Sequence, residues 1–105
     1  MSVGHSATGF YRWRVDTMKL SRAEAARLLE KNVQTILNFD FSFHRSTGAP
    51  SFPDLATRYY MTIIAMGPEV EPAPQNNKPP YLTMAERVLM TAVSRGLKIE
   101  PWPTE

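Results

Sequence analysis

Apolar residues recur at helical spacing through most of the chain and thin out in two places. From Phe10 to Met18, FYRWRVDTM sets Tyr11, Val15 and Met18 about a turn apart, which predicts a helix behind a tail at 1–9. Ser21 then offers an N-cap, with Glu24 three residues on to complete a capping box. The helix it opens, RAEAARLL, is rich in strong helix formers and turns Ala25, Leu28 and Leu29 inward. Ala26 is small enough there to admit a neighbouring helix. Asn32 is the next N-cap, for a helix from Val33 to about Asp40 that buries Ile36 and Phe39. Glu30-Lys31 is therefore a turn between two helices. Both residues also favour helix, so one continuous helix is the competing reading.

FSFHRSTGAPSFP, residues 41–53, reads as a loop, though its three phenylalanines call for something to pack on. Pro53 suits the first turn of the next helix, PDLATRYYMTIIAM, with Leu55, Tyr59, Ile63 and Met66 on one side and Gly67-Pro68 as the stop. PEVEPAPQNNKPP, residues 68–80, holds five prolines and reads as a stiff linker, with a proline-rich ligand as the alternative. Thr83 and Glu86 form a second capping box, for a helix ending near Arg95-Gly96. In LKIEPWPTE, residues 97–100 suit a short strand and Trp102 an anchor for the tail. The expected fold is all-α: a small helix-turn-helix bundle at 10–67, a proline-rich linker at 68–81, and an additional C-terminal helix with its tail at 82–105.

Composition narrows the function more by exclusion. Net charge is only +2, but residues 1–60 carry eight Lys+Arg against five Asp+Glu, and the remainder four against five. A basic excess beside the predicted turn favours a polyanion there, against the plainer reading of a solvated surface. There is no cysteine, hence no disulfide, thiolate metal site or thiol nucleophile. The longest central apolar run, Met61–Met66, is too short to span a bilayer, and MSVGHSATG has no signal-peptide pattern, so the cytoplasm is the expected location. His5 and His44 have no carboxylate at a recognisable spacing. No phosphate loop or metal-ligand spacing is present. The expectation is a non-enzyme without cofactor or metal.

Residues 22–41, RAEAARLLEKNVQTILNFDF, preceded by Leu20-Ser21, resemble the helix-turn-helix of the lambda repressor/Cro-like family of bacterial and phage transcriptional regulators. Ala25-Ala26, Leu29, Asn32, Thr35, Ile36, Phe39 and Asp40 stand where that family places its small, apolar, capping and acidic residues. The chain departs from it with Glu30 in place of the usual turn glycine, Lys31 in place of an apolar residue, and a longer following loop. The resemblance implies that Val33, Gln34, Leu37 and Asn38 face the major groove of double-stranded DNA. Gln34 and Asn38 suit adenine, and Val33 and Leu37 suit thymine methyls. It implies backbone contacts from Arg12, Arg14, Arg22, Lys31, Asn32, Thr35 and Arg45. Val33 and Leu37 equally fit a protein-binding face or contact with the 41–52 loop, so an adaptor or inhibitor is the alternative function. Members of the family generally bind as dimers. The last helix, through Met84, Val88, Leu89, Ala92 and Val93, is the candidate homodimer element, against the alternative of folding back on residues 10–67.

Overall fold

The computed structural model describes residues 8–67, 70–75 and 77–104. Most of the tail expected at 1–9, and linker positions 68, 69 and 76, lie outside them. The protein is all-α. Helix α1 (Gly9–Tyr11) runs directly into a π-helical turn (Arg12–Thr17), followed by α2 (Arg22–Leu29), α3 (Val33–Phe41), α4 (Leu55–Met66) and α5 (Met84–Ser94). The chain forms two compact units. The first comprises residues up to Pro53 together with Trp102 onward, and the second is Asp54–Pro101. The boundary thus falls at Pro53, and α4 belongs with α5 instead of with the helix-turn-helix.

In the first unit, Thr8 caps α1 by accepting the Tyr11 N–H at 3.0 Å. The wide turn that follows is closed by the Met18 N–H on the Trp13 carbonyl at 2.8 Å. The inward residues of this segment are Phe10, Trp13 and Arg14, while Tyr11, Val15 and Met18, whose spacing predicts the helix, are half-buried. Phe10 joins Trp13 and Phe39 in an aromatic cluster, with centroids 5.7 and 5.2 Å apart. A count of apolar residues misses this face because one of its members is an arginine.

The capping box of α2 is complete: Glu24 N–H donates to Ser21 Oγ, and Ser21 N–H to the Glu24 carboxylate. The Ser21 amide, and after it the Ser21 hydroxyl, hold the Glu24 carboxyl below its ordinary range. The box therefore stabilises the fold above the range where unfolded glutamates titrate, and that contribution is lost as pH falls through the lowered value. Ala25 and Leu29 are buried as expected and Ala26 with them, whereas Leu28 is only half-buried.

The second unit rests on α4 packed against α5. Asp54 caps α4 through the Thr57 N–H, and Gly67 ends it in a left-handed conformation. Pro53 precedes the cap and is not in the first turn. The buried residues of α4 are Thr57, Tyr60, Met61 and Ile63, while Leu55 and Met66 are exposed. This helix is apolar nearly all round, so spacing alone does not choose its inner face. The predicted linker is stitched to α5: Ala73 N–H donates to the Arg87 carbonyl, and Gln75 pairs with both backbone groups of Leu82. Thr83 and Glu86 form the expected capping box. Residues 97–100 form no strand.

The tail belongs to the first unit. Trp102 Nε1–H donates to the Gly9 carbonyl at 3.0 Å, and Gly9 N–H to the Thr104 carbonyl at 2.9 Å. A Cβ at Gly9 would collide with the Pro103 carbonyl, so only glycine admits this close crossing.

Candidate nucleic-acid interface

Two short helices meet at the stretch LLEKN. Glu30 adopts φ 57°, ψ 42°, the left-handed conformation more often given to glycine. Its N–H reaches the Arg27 carbonyl at 3.3 Å, and the Lys31 N–H reaches the Ala26 carbonyl at 2.9 Å. These are the two bonds of a Schellman motif, which stops α2 and frees the chain to start again. Asn32 Oδ1 then accepts from Thr35 N–H at 2.7 Å and from the Thr35 hydroxyl at 2.9 Å. The single-helix alternative is excluded, and Asn32 is the N-cap of α3.

Helix α3 has two unlike faces. Ile36, Phe39 and Asp40 are buried on one. On the other, Val33 is 50% exposed, Gln34 is exposed and Leu37 half-buried. Their spacing puts these three on a common arc at the start and middle of the helix.

Asn38 departs from its expected role. It is only 6% exposed and cannot reach outward with the other three. Ser42 ends α3 in a left-handed turn, after which His44 Nδ1 lies 3.1 Å from Asn38 Nδ2. Asn38 Oδ1 meanwhile accepts from Gln34 Nε2 at 3.3 Å. Both ends of the Asn38 amide are thus taken within the chain.

The expected backbone contacts separate into two groups. Arg14 is buried at 7% exposure, and its Nε and Nη2 bond the two oxygens of Asp40 at 3.1 and 2.9 Å. Its Nη1 donates to the Leu20 carbonyl. A guanidinium so engaged has no position from which to meet a phosphate, which corrects that expectation. Arg22 shares the same carboxylate through Nε at 2.8 Å, with 40% of its side chain exposed. Arg12 and Arg45 are exposed and Lys31 is half-buried. The Arg45 guanidinium lies 5.0 Å above the Phe41 ring, which in turn stands 6.0 Å from Phe43.

The residues expected to pair two chains also divide. Val88 and Ala92 are enclosed within the second unit, at 3% and 0% exposure, because α4 packs on α5 there. They are unavailable to a second copy. Met84 and Leu89 are half-buried, and Val93 is 63% exposed. Leu89 and Val93 line a shallow apolar pocket of about 270 Å³ with Tyr59, Leu97 and Ile99.

Sequence reasoning missed Asp40 as the anchor of two arginines and His44 as the partner of Asn38. Asp40 is acidic in an otherwise apolar helix end, which is a signal. The His44 contact crosses a tight turn and leaves none. Among the described residues, no group of three His, Asp or Glu side chains is placed to hold a metal ion, and no helix is long and apolar enough to cross a membrane. Comparisons with protein-family models, curated proteins and solved structures give no match.

Proposed function

We propose that this protein is a sequence-specific DNA-binding transcriptional regulator, a dimeric repressor that places α3 in the major groove. The observation that carries this reading is the α2–α3 junction. A Schellman turn and a fresh N-cap leave Val33, Gln34 and Leu37 on one outward face, with the core residues of α3 opposite. That is the geometry a recognition helix requires. Gln34 reads a base edge, Val33 and Leu37 touch thymine methyls, and Arg12, Lys31, Arg22 and Arg45 supply phosphate contacts. The mechanism is occupancy of an operator in the cytoplasm, without cofactor, and the pairing element is the outward side of α5.

Selection of bound duplexes from a random pool tests this. A shared motif should emerge, bound with an affinity that falls steeply as salt rises. Absence of any motif at physiological salt sinks the proposal.

A second reading rests on a specific observation. Val33, at 50% exposure, and Phe43, at 41%, are large apolar side chains in the first unit, and Arg14 is withdrawn from the surface. An outward face so apolar suits a protein-binding adaptor or inhibitor. Val33→Asp distinguishes the two: loss of a protein partner in a pull-down, with DNA never bound, supports the adaptor.

A further inference from the structure

We propose that His44 is a positioning residue for base recognition: through Asn38, it decides which end of the Gln34 carboxamide faces outward. The proposal rests on the DNA-reading role of α3 given above. It starts from the chain Gln34 Nε2 to Asn38 Oδ1, 3.3 Å, and Asn38 Nδ2 to His44 Nδ1, 3.1 Å. An amide nitrogen donates and does not accept, so His44 receives this bond on a bare Nδ1 and carries its proton on Nε2. Asn38 is nearly enclosed, and a buried amide must find its partners within the protein. With Nδ2 committed to His44, Oδ1 turns to Gln34 and takes one of its N–H groups. Gln34 is left with its oxygen and one N–H for an outside partner. An acceptor beside a donor complements adenine, which shows N6–H and N7 in the major groove.

Protonated His44 inverts the chain. Both ring nitrogens then donate. Asn38 satisfies the new N–H by turning its amide over, so that Oδ1 meets His44 and Nδ2 meets Gln34. Gln34 in turn gives its oxygen to Asn38 and presents two N–H groups outward. Two donors match O6 and N7 of guanine. The other charged groups on α3 and the loop at 42–53 are few. Asp40 is buried and bonded to Arg14 and Arg22, and Arg45 lies over Phe41. No carboxylate on either element stands ready to pair with the imidazolium.

Two measurements on the full chain test the proposal. In the free protein, nitrogen-15 NMR at about pH 8 should show the His44 proton on Nε2. A proton on Nδ1 instead overturns the relay whatever the protein binds. Random-pool selection at about pH 8 and about pH 5 should then change the base beneath Gln34 from adenine to guanine, with a preference shift on the order of tenfold at that position alone. His44→Phe, and His44→Gln, which keeps hydrogen bonding without titrating, should each lose the pH response. A wild-type motif identical at both pH values, or a switch that survives in either variant, defeats the positioning role while leaving DNA recognition intact. If no motif is selected at either pH, the DNA-reading role itself fails and this proposal falls with it.

Discussion

Asp40 ties the turn at 12–17 and the start of α2 to the end of α3. It has no exposed surface, and it sits among two arginines from different elements. A buried ion pair is weak evidence of net stability, because desolvation opposes the Coulomb gain. Removing one partner is another matter, since it strands a charge in the interior. Asp40→Ala should cost about 3–5 kcal/mol in urea denaturation, and Arg14→Ala about as much. Arg14→Ala also loses the contact of its guanidinium, 5.4 Å from the Tyr11 ring centroid. Arg22→Ala, at a half-exposed site, should cost about 1 kcal/mol or less. An Arg14→Ala protein as stable as the parent would show that Asp40 finds other partners. If α3 reads DNA as proposed, the same variants separate structure from binding: Arg14→Ala should lose DNA affinity only as far as it unfolds, whereas Arg12→Ala should weaken binding without changing the denaturation midpoint.

At the level of elements, what was legible in the sequence was local. Ser21 with Glu24, Asn32 with Thr35 and Thr83 with Glu86 close bonds across three residues, so residue type and spacing suffice to place the starts of α2, α3 and α5. The buried sides of α2 and α3 were legible too, because Ala25, Leu29, Ile36 and Phe39 are apolar among polar neighbours. The parts that were not legible depend on distant partners. Arg14 lies inside bonded to Asp40, 26 positions away, and Asn38 is buried where His44 approaches it past a left-handed Ser42. The proline segment looked like a free spacer, yet Ala73 and Gln75 bond to Arg87 and Leu82, which no spacing rule reveals. The turn itself carries a prediction. Glu30 holds a left-handed conformation without the freedom of glycine, at a cost of about 1 kcal/mol. Glu30→Gly should raise stability by somewhat less than that, because glycine also gains entropy in the unfolded chain. The check is the denaturation midpoint, and an unchanged or lowered value would mean that contacts of the Glu30 side chain offset the strain.

On the scale of the whole molecule, the two units are not consecutive in the chain. Residues 54–101 are inserted between the helix-turn-helix and a tail that returns to it at Gly9. Trp102→Ala should therefore loosen the first unit by about 2 kcal/mol, from lost packing and the lost indole bond. Hydrogen exchange should quicken at Ile36 and Phe39 while Val88 and Ala92 keep their protection. The same topology governs how the pairing of two copies is tested. Cutting the chain before α5 would remove the tail along with the helix, so a change in oligomeric state would report a damaged first unit as readily as a lost interface. A point substitution avoids this. Val93 is 63% exposed and Met90 51%, whereas Val88 and Ala92 are enclosed. Val93→Glu places a charge on the outward side of α5 at little expense to the fold. If that side joins two copies, sedimentation should show the parent as a dimer and the variant as a monomer, with unchanged helical content. If α3 also reads DNA as proposed, affinity for the selected duplex should fall as well, because each half-site would have to be bound without its partner. A parent that sediments as a monomer, or a Val93→Glu protein that remains dimeric, removes α5 from the interface.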